Sequence, residues 1–303
     1  MSIRPVLSAT PAQPTLEGAG VKLHRAFGFG DPEALDPFLL FDDFRNERPA
    51  DYLKGFPWHP HRGIETITYV LAGEVDHGDS LGNVGTLGAG DVQWMTAGSG
   101  ILHQEMPRGN AQGQMHGFQL WANLPSHLKM TTPRYQDMKG ADIPEMIDDD
   151  GTKVRIITGD FRGIRGPVDG ISADPQYLDI SVPPGLRKTF KVDTYRRAFA
   201  YVFAGSGTFA DASKPTGVLL EKEVMGHEVN IRDLSGDRTL IKFGTGDTVT
   251  VQAGDHGIRF LLISGAPIQE PIAWHGPIVM NTQDELRQAM RDLRNNTFIK
   301  PAH

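Results

Sequence analysis

Cysteine is missing altogether from the 303 residues, which removes disulfides, thiolate metal sites and cysteine nucleophiles together. Long apolar runs are missing too. No stretch approaches the roughly 18 residues needed to cross a bilayer. The opening Met1-Ser-Ile-Arg-Pro-Val-Leu7 has no apolar core followed by a small-residue cleavage site. An excess of positive charge is the third absence. Lys and Arg number 30 against 37 Asp and Glu, giving a formal net charge of -7 and a pI near 5.9, so no global basic field draws nucleic acid or an anionic membrane. The expectation is a soluble cytoplasmic protein, nuclear as well in a eukaryotic cell. It binds neither nucleic acid nor membrane directly but stays free to dock on a protein partner.

What is abundant is punctuation. Glycine (35) and proline (21) break an apolar fraction of 39% into many short runs, the pattern of an all-β chain with many turns. Glu65-Thr-Ile-Thr-Tyr69-Val-Leu-Ala-Gly73 reads as a strand closed by a turn. Just before it lies Gly55-Phe-Pro-Trp-His59-Pro-His61, and some forty residues later comes Gly100-Ile-Leu-His103-Gln-Glu105. Residues i and i+2 of an extended backbone project to one face, so His59 with His61 and His103 with Glu105 form two pairs able to grip one ion. Imidazole suits Zn, Cu, Fe or Ni, and an added carboxylate shifts the balance toward non-haem Fe(II) and other divalent first-row metals. If the strand is regular, Glu65, Ile67 and Tyr69 share the face of His59 and His61.

The second half repeats the first. Thr68-Tyr69-Val-Leu-Ala72-Gly73 is echoed by Ala200-Tyr201-Val-Phe-Ala204-Gly205, an offset of 132 from Tyr69 to Tyr201. Gly88-Ala-Gly90-Asp91 is echoed by Gly244-Thr-Gly246-Asp247, an offset of 156 from Gly90 to Gly246. The extra residues fall in the polar stretch around Asp211 to Asp237. A duplicated β-barrel or jelly-roll unit is predicted, divided as 1–135 and 136–303. At these offsets His59, His61 and Glu65 fall on Lys191, Asp193 and Arg197, and His103 and Glu105 on Arg259 and Leu261. The second copy keeps the glycine and apolar skeleton and loses every ligand, so the cluster is an addition to one copy. The tail predicts one helix, with Thr282 and Glu285 as a capping box and Leu286, Ala289, Met290 and Leu293 as an apolar stripe that docks on its parent barrel.

These features, together with Asp36-Pro-Phe-Leu-Leu-Phe-Asp-Asp-Phe44, Pro60-His-Arg-Gly-Ile-Glu-Thr66, Gly90-Asp-Val-Gln-Trp-Met-Thr-Ala-Gly98, Gln119-Leu-Trp-Ala-Asn-Leu-Pro125 and His275-Gly-Pro-Ile-Val-Met-Asn-Thr282, resemble the pirin family of bicupins over essentially the whole chain. The resemblance implies an all-β fold of two tandem cupin (jelly-roll β-barrel) domains with a short C-terminal helix. It implies an N-terminal cupin that binds iron through three histidines and one glutamate, matching His59, His61, His103 and Glu105. Glu65 matches a position that is not a ligand, and a role in orienting a histidine N–H or a turn is expected. Fe(II) is the expected metal, with Mn, Co, Ni, Cu or Zn as alternatives.

Resemblance to pirins with quercetinase activity implies oxygenolytic ring opening of a flavonol, with release of carbon monoxide. There the metal acidifies the 3-hydroxyl and Glu105 takes the proton. The alternative is a metal-dependent, redox-sensing regulator that binds a transcription factor or a metabolic enzyme without turnover. A monomer is expected. Trp94, Met95 and Phe56 are core or pocket lining, His77 is read as solvated in a polar turn, and His116 as structural or as a support to a ligand. His227, His256, His275 and His303 show no pairing at ligand spacing.

Overall fold

The computed structural model describes residues 2–30, 32–168, 172–209, 222–224, 227–229 and 235–300, the two short pieces by backbone alone. Most of the polar stretch around Asp211 to Asp237, the side chain of His227 and the whole of His303 therefore lie outside the described residues. The short β-branched runs fold into antiparallel sheets, as their composition predicts. Gln283–Arg294 is the α-helix among the described residues, and no helix there is long and apolar enough to cross a membrane.

The chain packs as two compact units that interleave in sequence. One holds Gln13–Ile143, Pro167–Ala173 and Pro267–His303; the other holds Met1–Ala12, Pro144–Gly166 and Asp174–Ala266. Neither unit is contiguous in sequence, for two reasons. Val6–Pro11 finds its ladder partner in Thr239–Phe243. The tail, for its part, pairs Val279 with Arg62 and packs Val279 among Leu39, Ile64, Met95 and Ile101.

The histidine-bearing unit is built on two facing sheets, with a two-stranded ribbon of Ala273–His275 and Ile278–Met280 from the tail. In spatial order the larger runs Arg134–Met138, Val92–Thr96, Ile64–Ala72, His116–Asn123, Phe38–Asp43, Val21–Phe27, Gln13–Glu17. The smaller runs Phe56–His61, Ile101–Arg108, Glu74–Asp79, Val84–Leu87. Their facing surfaces share one core, Val21, Leu23, Phe44 and Val70 meeting Val75 and Leu87, where each fully buried aliphatic side chain contributes about 1.5–3 kcal/mol. This is jelly-roll packing, with alternate residues of each strand turned inward.

The first candidate pair and the strand after it belong to different sheets, because the chain turns a corner at Arg62-Gly63. Gly63 sits at φ +78, where a Cβ would meet the Val279 carbonyl oxygen at 1.9 Å; only glycine fits. After the corner Thr68 reaches Glu105 of the opposite sheet, so the even-numbered residues of Ile64–Ala72 face inward. Glu65, Ile67 and Tyr69 therefore lie on the opposite face, contrary to the expectation that they share the face of His59 and His61.

The other unit is built on an eight-stranded sheet in which Arg197–Phe209 and Thr248–Gly265 are unusually long. Each continues through what in the histidine-bearing unit is a break between two strands. Its ladder corrects the internal alignment. With Tyr69 matched to Tyr201, His77 falls on Phe209; His77 lies opposite Glu105, whereas Phe209 lies opposite Val251. His103 lies opposite His59, and its counterpart Val249 lies opposite Phe190. The second offset, from Glu105 to Val251, is thus 146, and the positions that replace the ligands are Phe190, Val192, Val249 and Val251 rather than Lys191, Asp193, Arg259 and Leu261. All four are buried in one apolar cluster. A Gly-x-Gly-Asp turn recurs wherever a sharp reversal precedes a strand, so it is a poor marker of register. The loss of ligands from the second copy nevertheless holds, with apolar side chains in place of the site.

Candidate metal centre

The ladder between Phe56–His61 and Ile101–Arg108 sets His59 directly opposite His103, and the strand period of two brings His61 to the same side as His59. The potential ligand atoms of the three rings all lie within 4.8 Å of one another, and the ring centroids are 4.4 to 4.9 Å apart. Among the described residues this is the group of three or more possible metal-binding side chains that meets such a distance. His61 and His103 are each 1% exposed, while His59 keeps an edge toward solvent.

Hydrogen bonds orient two of the rings. His59 Nδ1 faces the Pro57 carbonyl oxygen at 2.8 Å and His61 Nδ1 faces the Pro277 carbonyl oxygen at 3.2 Å. Each carbonyl favours the neutral tautomer with its proton on Nδ1. The two Nε2 atoms, 3.1 Å apart, then present lone pairs to one another. Neither ring nitrogen of the buried His103 has a hydrogen-bond partner among the described residues. Burial, then the neighbouring imidazoles, hold the pKa values of His61 and His103 well below the usual histidine value. Imidazole nitrogens that converge on one point, with both nitrogens of the buried His103 left unpartnered, fit a shared cation.

Glu105 lies one inward step further along its strand, after a register shift between His103 and Glu105, and is not part of the three-histidine group. Its carboxylate accepts from Thr68 Oγ1 at 3.0 Å and from Gln119 Nε2 at 2.9 and 3.1 Å. The Gln119 amide is itself fixed, since Trp121 Nε1 donates to its Oε1 at 3.0 Å. Trp121 also stands edge-on to His61, centroids 5.1 Å apart. Behind Glu105 is a cavity of about 30 Å³ lined by Val21, Phe44, Phe56 and Met115 with the polar edges of Asp42 and Gln119. Phe56 thus lines a pocket; Trp94 and Met95 are fully buried, Met95 in the core beside Trp121.

Other expectations need correction. His77 is 5% exposed rather than solvated; it lies on Glu74–Asp79 opposite Glu105, its ring parallel to Tyr135 with centroids 6.0 Å apart. Glu65 accepts from Thr96 Oγ1 at 2.7 Å and meets no histidine. Burial pushes its pKa up to about 7, while Thr96 and the nearby Trp94 hold it down in part. His116 is partly exposed and 3.9 Å from Glu47, outside the histidine cluster. The sequence reading missed Gln119, Trp121 and the Pro277 carbonyl. The first two carried a signal, an i, i+2 pair on one strand; a carbonyl more than two hundred residues away carried none.

The family model for pirin matches residues 20–122, and that for the pirin C-terminal cupin domain matches residues 177–299. The chain belongs to the pirin family. A pirin-like protein of Caulobacter vibrioides is 42% identical over 98% of this chain and all of its own length. A Pseudomonas aeruginosa relative provisionally named quercetin 2,3-dioxygenase is 38% identical over 97% of this chain and 98% of its own. The crystal structure of quercetin 2,3-dioxygenase from Acinetobacter baumannii superposes with a TM-score of 0.83 at 30% identity, covering 98% of this chain and 99% of that one. All four candidate ligands of this pirin fall within the N-terminal match.

Proposed function

We propose that the histidine-bearing unit is a metal-dependent dioxygenase that opens the ring of a flavonol. His59, His61, His103 and Glu105 would hold the metal, Fe(II) before Mn, Co, Ni, Cu or Zn. The observation that carries the reading is the convergence of three imidazoles whose potential ligand atoms lie within 4.8 Å of one another, with both ring nitrogens of the buried His103 lacking a hydrogen-bond partner among the described residues. The provisional name of the Pseudomonas relative and the likeness to the Acinetobacter enzyme support the choice of substrate. A bound divalent ion supplies Lewis acidity toward the flavonol 3-hydroxyl.

The chain's own residues do the rest. The Glu105 carboxylate takes the hydroxyl proton, and Thr68 on Oε1 and Gln119 on Oε2 hold the group in place so that little reorganisation accompanies the transfer. Trp121, edge-on to His61, and the buried Met95 and Ile101 keep water from the inner side. His59, the half-buried member of the three, would mark the side from which substrate approaches.

The test is aerobic incubation of Fe(II)-loaded protein with quercetin, following loss of the flavonol band and release of carbon monoxide. Failure with iron, manganese, cobalt and nickel alike would sink the enzymatic reading. Metal retained without turnover would favour the regulatory alternative.

A further inference from the structure

Arg62 lies between the two candidate ligand strands yet contributes nothing to the cluster. Its side chain is 2% exposed, and every direction of its guanidinium is used. Nε donates to the Ser99 carbonyl oxygen at 2.7 Å, Nη1 to Asp292 Oδ2 at 2.8 Å and Nη2 to the Phe298 carbonyl oxygen at 2.8 Å. The guanidinium carbon lies 4.2 Å from the centroid of the Phe298 ring. Ser99 stands in the turn that starts the His103 strand; Arg62 directly follows His61. One side chain therefore ties the end of one ligand strand to the start of the other, and both to the tail.

The tail is fastened to the same corner three more times. Val279 N–H donates to the Arg62 carbonyl oxygen at 3.0 Å. The buried Lys129 Nζ donates to the carbonyl oxygens of Gly63 at 2.8 Å and Val279 at 3.0 Å. The Pro277 carbonyl oxygen receives His61 Nδ1. On the helix, Asp292 is held by Gln288 Nε2 at 2.8 Å and Lys300 Nζ at 3.1 Å as well as by Arg62. Phe298 also closes over Gly100, where a Cβ would come within 2.8 Å of its carbonyl oxygen.

We infer that Arg62 and Asp292 are positioning residues for the metal centre, by which the C-terminal helix and tail set the spacing of the two ligand strands and hence the affinity of the site. The inference rests on the three-histidine site being a metal site. It does not require flavonol turnover. An imidazole cluster tolerates little displacement, and loss of the groups that orient ligands lowers metal affinity by about 10–100-fold.

The experiment is a competition titration of the full chain with Co(II) against a chromophoric chelator, read together with the Co(II) d–d absorption. Asp292→Asn keeps shape and most hydrogen bonds. Arg62→Lys keeps charge but cannot reach three partners. Both are expected to weaken Co(II) binding about tenfold or more and to alter the d–d band, at unchanged far-ultraviolet circular dichroism. The control is Asp179→Asn, which breaks the bidentate pair with Arg259 in the other unit and is expected to leave Co(II) affinity and spectrum unchanged. Asp292→Asn with wild-type affinity and spectrum but a lower Tm would overturn the inference, leaving a purely structural tie. Should Arg62→Lys fail to fold, the milder Asp292→Asn decides alone. Wild-type protein that binds no Co(II) overturns the metal reading itself, and this inference with it, whatever the quercetin assay shows.

Discussion

At the scale of single residues, two carboxylates that the sequence places forty positions apart have opposite environments. Glu105 is inside the jelly roll and accepts from Thr68 and Gln119. On the proposed role of Glu105 as base, Glu105→Gln keeps the shape and removes the proton acceptor, so kcat for flavonol consumption is expected to fall about 10²–10⁴-fold, measured by stopped-time assays at saturating substrate. Glu65 is buried on the other face with a single hydroxyl donor and a folded pKa of about 7 against an ordinary 4.5. A carboxyl raised on folding stabilises the native state fully below the unfolded value, and that stability is lost as pH rises through the folded one. Glu65→Gln should therefore gain relative to wild type between about pH 4.5 and 7, by on the order of 3 kcal/mol at the plateau. Urea unfolding across that window checks the sign; a constant difference between the two proteins would refute it. The three-histidine cluster was legible because the i, i+2 spacing of His59 and His61 keeps both on one face of an extended strand. The face of Glu65 was not, because parity counted along the chain is lost where Arg62-Gly63 turns the corner.

At the scale of elements, the helix was legible to its cap. Thr282 accepts from the Glu285 N–H and Glu285 reaches back to the Thr282 N–H, and Thr282→Ala is expected to cost about 1 kcal/mol, seen as a lower Tm. Gly63→Ala should cost more. The positive φ alone is worth about 1–3 kcal/mol, and the added methyl would strike the Val279 carbonyl oxygen, so differential scanning calorimetry should rank it well below Thr282→Ala. Strand composition forecast the sheets. Turn composition misled the alignment, since Gly244-Thr-Gly246-Asp247 resembles Gly88-Ala-Gly90-Asp91 in chemistry but leads into a strand whose ladder matches Ile101–Arg108. Register is carried by the inward apolar set of Phe190, Val249 and Val251, which can be assigned only once the partner strands are known.

At the scale of the whole chain, the duplication was visible and the interleaving was not. An apolar stripe states that a helix must dock without naming its dock. The exchange of Met1–Ala12 and Pro267–His303 between units predicts that halves severed at 135/136 do not act independently. The N-terminal half alone should fail to take up Co(II), having lost Pro277, Asp292 and Phe298. Mixing the halves should restore uptake and give co-elution on size exclusion. An N-terminal half that binds Co(II) as the full chain does would show the tail dispensable.

The same tail orders events in time. During synthesis His59, His61 and His103 emerge long before Pro277 and Asp292, and until those residues follow, Arg62 has only the Ser99 carbonyl to hold. On the inferred role of the tail, metal uptake would follow its translation, and nascent chains stalled within the second cupin would be spared premature capture of whichever divalent ion is most abundant.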